Sequence, residues 1–175
     1  MGCFFVLGCE NSMQEVQDLG RKKVSVEEAV DVTSYLSQNA VMKAKLTAPR
    51  MLRTNSDTVV TEFPNSLQVE FYNDSTKPES HLFAKYGRYL QYQSRVYLRD
   101  SVIVYNYATK DTLRTDELYW DQNDGRFYTD KDVQIRTPTE KLNGSGLIAD
   151  QAFSWWTLKN ASGPMLIADS TLPAQ

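Results

Sequence analysis

Apolar and polar residues alternate one by one over much of the chain, which is the periodicity of a strand with one buried face. Met42, Ala44 and Leu46 are separated by lysines. The same alternation recurs in 67–71 and in 133–136. From residue 24 onward this pattern predicts half-buried strands in an antiparallel, all-β sheet.

Turn signals separate these predicted strands. Asn, Asp and Gly tolerate the left-handed backbone that tight hairpin turns need. Clusters of such residues, with Ser, Thr, Gln and Lys among them, occur at 37–39, 73–76, 109–111 and 121–125. Helical signals are limited to a turn or two near 25–32 and 49–57. The chain therefore reads as a series of hairpins.

A weak repeat runs through the predicted sheet. Four Leu-x-small triplets begin at Leu46, Leu82, Leu113 and Leu147, at intervals of 31 to 36 residues. Regular spacing favours stacked units that complete one another's core. If such a stack closes only in part, it leaves an interior apolar trough. A closed sandwich core fits the alternation equally well.

Composition is that of one ordinary globular domain. The chain has 175 residues, of which 41% are hydrophobic and 23% charged. We assign the domain to 24–165, followed by a tail over 166–175. The net charge of -3 and the absence of a long basic run argue against a nucleic-acid partner.

The N-terminus predicts a lipid anchor. An apolar run precedes Cys9, with Val6 and Gly8 at the positions that the lipobox of bacterial lipoproteins requires. We therefore predict that 1–9 is a truncated or remnant signal ending at an acylated Cys9, and that 10–23 is a polar tether. The alternative is an unprocessed apolar terminus.

The body of the chain offers little for catalysis. Both cysteines lie in the first nine residues, so the body has neither a disulfide nor a thiolate site. The only histidine, His81, is expected to be solvated at a strand edge. Segment 121–125 lacks the closing Glu of a calcium loop, and Asp130 and Asp132 are expected to be solvated. We predict a protein that is not an enzyme and has no metal or cofactor.

Five stretches, taken in order, carry a family resemblance. They are Thr-Glu-Phe-Pro at 61–64, the alternating strand 67–72, and the segments 113–121, 128–133 and 144–150. Over about 26–163 the chain resembles the LptC family, the periplasmic component of the bacterial lipopolysaccharide export machine. The family's usual N-terminal transmembrane helix is replaced here by the lipobox.

The resemblance implies a fold and a role. The fold would be an open, twisted β-jellyroll whose apolar groove holds the acyl chains of lipopolysaccharide. The protein would be anchored to the membrane, in the inner membrane by this reading, on its periplasmic side. It would receive lipopolysaccharide from an inner-membrane ABC transporter and pass it to a homologous jellyroll by edge-strand pairing. The alternative is a closed β-sandwich lipoprotein that only scaffolds other envelope proteins.

Strand alternation then selects the residues that would line this groove. They are Met42, Ala44, Leu46, Leu67, Val69, Phe71, Leu82, Ala84, Val102, Val104, Leu113, Leu118, Trp120, Val133, Ile135, Leu147 and Ala149. We expect the docking edge at 153–158, and we expect 144–146 to form a turn or bulge.

Overall fold

The computed structural model describes residues 25–55 and 58–162. Nearly all of this part of the chain is strand. The strands are β1 (Ser25–Gln38), β2 (Val41–Asn55), β3 (Val59–Phe63), β4 (Leu67–Tyr72), β5 (Pro78–Ala84), β6 (Tyr86–Leu90), β7 (Arg95–Asn106), β8 (Thr112–Asp121), β9 (Arg126–Arg136), β10 (Lys141–Asp150) and β11 (Trp156–Leu158). A single 3-10 turn, Gln91–Gln93, lies between β6 and β7.

The eleven strands form one antiparallel sheet. β3 and β4 are two parts of one bent path, because both pair with β2, at 52–55 and 44–47 respectively. β5 and β6 form a second such path, since both pair with β7. The sheet is thus a meander from β1 to β11. The predicted all-β class, with antiparallel strands in one large sheet, is confirmed.

A line of irregularities crosses the sheet. The pairing register shifts between Arg99 and Val102 in β7, between Thr115 and Tyr119 in β8, and between Ser145 and Leu147 in β10. Bulges of this kind bend a strand sharply. They divide the sheet into two halves that fold towards each other.

We name these halves by their segments. Half A contains β3, β6, β11 and segments 95–99, 117–121, 126–129 and 147–150. Half B contains β4, β5 and segments 44–47, 102–106, 112–115, 133–136 and 141–145. Phe71 of half B packs edge-on against Trp120 of half A, with ring centroids 5.0 Å apart. No ladder joins their strands, so this contact crosses the interior.

The core lies between the two halves. Val69, Leu82, Val104, Leu113 and Ile135 face one another across successive strands of half B, and all are buried. Three of the four repeat leucines share this row, because Leu46 pairs with Val69 and continues it beside Leu82 and Leu113. The fourth, Leu147, lies in half A, so the expected stack of four repeats forms only in part.

The predicted hairpins are present, but the helical signals are wrong. Asn39 and Ala40 both have positive φ, +52° and +62°, as a two-residue hairpin turn requires. Segment 25–32 lies in β1, and 49–55 lies in β2. The two strands pair along their whole length, and this long-range pairing overrides the local helical preference. Among the described residues, no helix is long and apolar enough to cross a membrane.

Candidate functional site

An apolar cavity of about 280 Å³ opens between the two halves, at the β1 side of the molecule. It is lined by Val32, Ser34, Tyr35, Leu36, Ala44, Leu46, Met51, Thr61, Phe63, Val69, Tyr89, Val96, Trp120 and Gln122. Its volume is close to the lower end of the range of about 300–1,000 Å³ for ligand pockets. The space therefore suits a slender apolar group.

Burial increases from the mouth of this cavity to its floor. At the mouth, Tyr35 is 60% exposed and Leu36 is 39% exposed. At the floor, Val69, Val96 and Trp120 are at most 3% exposed. The lining residues with a hydroxyl or amide group are Ser34, Tyr35, Thr61, Tyr89 and Gln122. A ligand in this cavity would bury an apolar end against the floor.

Only a small part of the predicted groove lines this cavity. Every predicted groove residue except Met42 and Leu46, which are half-buried, lies in the buried core. Of the whole set, only Ala44, Leu46, Val69 and Trp120 line the cavity. The remaining positions pack against one another in the folded sheet. Alternation identified the inward face but could not show which part of the interior is empty.

Sequence reasoning missed several residues of the cavity. Phe63 and Val96 are buried lining residues, and Met51 and Tyr89 pack at the border of the core. The alternation of Val96 with Leu98 carried a usable strand signal. The lining residues that β1 contributes carried no such strand signal, because 25–32 suggested a helical turn.

The opposite end of the interior is closed by the loop after β10. The Oγ atom of Ser80 donates to the Gln151 carbonyl at 2.8 Å, and Nδ2 of Asn106 donates to the Ala152 carbonyl at 2.8 Å. Phe153 follows with φ +53° and is fully buried in the core. The interior is thus open towards β1 and filled at this end.

The docking edge at 153–158 stays a prediction, except at Phe153. That residue is fully buried in the core and is unavailable to a partner. β11 is the last strand of the sheet, and Trp155 beside it is 46% exposed. The predicted bulge at 144–146 is present, with Gly146 at φ +89°.

The other end of the sheet carries a long unpaired edge. Among the described residues, β1 pairs only with β2. Val26 and Val30 on β1 are 58% and 68% exposed. A long edge with exposed apolar residues is a template for pairing with another strand. It lies beside the cavity mouth, since β1 also supplies Leu36.

His81 is not the solvated edge residue that the sequence suggested. It lies within β5, is half-buried, and its Nδ1 is 2.6 Å from Glu70 Oε1. Tyr107 donates to the same carboxylate oxygen at 2.6 Å. Burial, together with this hydrogen bond, raises the pKa of Tyr107 to about 12. This outward cluster holds adjacent strands together. No group of three or more metal-ligating side chains occurs among the described residues.

A larger depression lies on the outer surface of half B. Its volume is about 740 Å³ and it includes Arg114, Asp116, Asp132, Gln134 and Asn143. It is shallow and mostly polar, so it lacks the enclosed apolar lining of the cavity. The cavity is therefore the candidate site. Cys9, the tether over 10–23 and the tail over 166–175 lie outside the described residues.

Comparison with known proteins relates this architecture to one group. A family model described as "Lipopolysaccharide-assembly, LptC-related" matches residues 2–162. No curated protein matches the chain. Among solved structures, the chain is similar to LptH of Pseudomonas aeruginosa, described as the LptA homologous periplasmic component of the conserved lipopolysaccharide transport device. The two are 15% identical with a TM-score of 0.39, over 57% of this chain and 78% of that chain.

Proposed function

Because the chain belongs to the LptC-related family of lipopolysaccharide-assembly proteins, we propose that it is a periplasmic bridge for lipopolysaccharide. It carries the lipid's acyl chains between the half-sheets and leaves the sugar in water. It is a carrier and not an enzyme. The observation that carries this proposal is the apolar cavity that opens beside a free sheet edge.

Apolar burial alone is sufficient to hold such a cargo. Each methylene moved out of water contributes about 0.8 kcal/mol. Ala44, Leu46 and Val69 offer the cavity an aliphatic wall, and Trp120 offers an aromatic floor. The sugar portion stays in water and requires no interior polar groups.

We propose a direction of lipid transfer from the two ends of the sheet. Lipid enters at the β1 side, where the cavity opens, and the inner-membrane ABC transporter delivers it there. The homologous jellyroll that takes the lipid onward pairs with the β11 edge. Support for entry at β1 is the cavity that opens there, whereas Phe153 fills the interior at the other end.

We propose that acylation of Cys9 anchors the protein to a membrane. Acylation there would attach the bridge to the inner membrane through the polar tether of 10–23. Mass spectrometry of the purified membrane form tests this. A mass increase from acyl chains that Cys9→Ser abolishes supports the anchor, and an unmodified Cys9 contradicts it.

A second candidate is a structural scaffold with a permanently closed interior. The filled core around Phe153 favours it, because much of the predicted groove has no space for a ligand. In that case the cavity beside β1 would be only a packing defect at the end of the sheet.

Photo-crosslinking separates the two candidates. A benzophenone residue placed at Leu46 faces the cavity, whereas one at the adjacent Lys45 faces outward, as strand alternation requires. With purified rough lipopolysaccharide, we expect adducts at Leu46 and few or none at Lys45, because only the first side chain faces the cavity. Equal labelling at both positions, or none at either, would contradict the carrier.

A further inference from the structure

Trp120 separates the cavity from the filled core. One part of its side chain lines the cavity floor. Behind it, its ring packs edge-on against Phe71, with centroids 5.0 Å apart, and lies tilted against Phe127, with centroids 6.5 Å apart. Phe71 and Phe127 are buried, and neither lines the cavity. The cavity therefore ends where this tryptophan stands.

The polar end of Trp120 gains nothing from its position. The indole Nε1 is buried and has no hydrogen-bond acceptor among the described residues. An unpaired buried donor costs about 1–3 kcal/mol. An apolar residue would avoid that cost, so the useful property of the indole here is its size. A large rigid group at the end of a narrow apolar cavity limits how far a ligand can enter.

We infer that Trp120 determines the length of the acyl chain that the cavity accepts. This inference rests on the proposed function and adds a specificity-determining residue to it. One chain lies with its methyl end against the indole and its polar end at the mouth, near Ser34 and Gln122. The narrow volume of about 280 Å³ supports one chain at this site.

In this arrangement the affinity for a ligand depends on the length of its acyl chain. Each added methylene raises affinity about fourfold for as long as it finds apolar surface to bury. Once the methyl end reaches Trp120, further carbons stay in water at the mouth. Affinity then stops rising with length, and the position of this plateau measures the depth of the cavity.

The test uses a homologous series of saturated fatty acids below their micellar concentrations, with binding measured by calorimetry. Trp120→Leu removes the floor, so its plateau is expected at longer chains than in the wild-type protein. Phe127→Leu is the matched control, because it removes a neighbouring core ring that does not line the cavity. In Phe127→Leu, the affinity is expected to stop rising at the same chain length as in the wild-type protein.

Ala44→Val offers an independent variant that does not weaken the floor. It narrows the cavity from the wall, where Ala44 is 3% exposed, and its plateau is expected at shorter chains. Unfolding curves recorded beside each titration identify the variants that fold. If Trp120→Leu does not fold, the smaller change Trp120→Phe replaces it, and a plateau that stays in place in that variant overturns the inference.

The outcomes also separate this inference from the proposed function. Rough lipopolysaccharide is titrated into the same variants. If it binds but the plateau is the same in Trp120→Leu, or moves equally in Phe127→Leu, the length-setting role is wrong and the carrier stands. If neither the fatty acids nor lipopolysaccharide bind the wild-type protein, the carrier itself is wrong.

Discussion

At the scale of single residues, buried polar groups mark where the interior is closed. Asn106 is 4% exposed, and its side chain makes three hydrogen bonds, to the carbonyl of Ala152 and from the amides of Ala108 and Thr109. Ser80 supports the same closing loop from β5. Buried polar atoms that all have partners fix one arrangement of this loop.

Removing the Asn106 amide should therefore destabilise the fold. Asn106→Ala leaves two backbone amides and one carbonyl without their partner, and we expect a loss of about 2–3 kcal/mol in the free energy of unfolding. The control is Asn123→Ala in an exposed hairpin, which should change it by less than about 0.5 kcal/mol. Urea unfolding of both variants checks this, and similar losses would contradict the closing role.

The raised pKa values of two tyrosines predict that the fold loses stability at alkaline pH. Burial, and then a hydrogen bond to Glu62, raises the pKa of Tyr86 to about 12, and Tyr107 has a similar value. Because the ordinary value is 10.0, the unfolded chain ionises first as pH rises. The contribution of the two tyrosines to the free energy of unfolding is therefore intact below pH 10 and is lost between pH 10 and about 12.

Urea midpoints measured across that interval test this expectation. The wild-type midpoint should fall, and the Tyr86→Phe, Tyr107→Phe double variant should fall less steeply from a lower starting stability. Tyr92→Phe is the control, since Tyr92 is 67% exposed. If the urea midpoint fell as steeply with pH in the double variant as in the wild-type protein, these hydroxyls would not cause the loss of stability.

At the scale of elements, the two edges of the sheet are built differently. β1 is a strand of fourteen residues with one side unpaired among the described residues. β11 has three residues and is held on β10 by close backbone approach. A side-chain atom added at Gly144 would lie 2.6 Å from the Lys159 carbonyl oxygen. Glycine is therefore required where this edge packs.

Gly144→Ala should loosen the C-terminal edge. The added methyl meets backbone and the buried side of Leu158, so we expect a loss of about 1–3 kcal/mol. Hydrogen exchange should quicken at the amides of 156–162. Thr157→Ala, at an exposed position of β11, should leave exchange unchanged. Equal exchange in Gly144→Ala and the wild-type protein would contradict this packing.

Sequence patterns were sufficient to predict most of the strands, but not all of them. Strict alternation located the inward residues of β4, β7 and β8, because one face of each strand is buried. The first part of β1, residues 25–32, suggested a helical turn or two, since most residues of this strand are exposed and no burial pattern marks it. The empty part of the interior depends on how the halves pack, which no local pattern reports.

At the scale of the whole molecule, the interior is asymmetric. The cavity opens between the halves at β1, and the far end is filled by Phe153. A partner strand added to β1 would extend the sheet past the cavity mouth and shelter a lipid in transit. Under the proposed function, edge pairing and cargo binding would therefore depend on the same side of the protein.

Charge on the free edge should weaken partner binding without harming the fold. In the double variant Val26→Lys, Val30→Lys, both changes fall on exposed side chains. Charged side chains oppose strand addition, so we expect association with the lipopolysaccharide transporter to weaken about tenfold or more, which is about 1.4 kcal/mol. Thr139→Lys, in a turn away from β1, is the control. Unchanged binding of the double variant would exclude β1 as the docking edge.

The most direct test of the bridge follows lipid into the cavity during transport. Proteoliposomes containing the inner-membrane lipopolysaccharide transporter and lipopolysaccharide are mixed with this protein carrying a photo-crosslinker at Leu46, with and without ATP. We predict lipopolysaccharide adducts that require ATP and that fall sharply in the Val26→Lys, Val30→Lys background. Adducts that form equally without ATP, or that persist at full yield when the β1 edge is charged, would contradict the account.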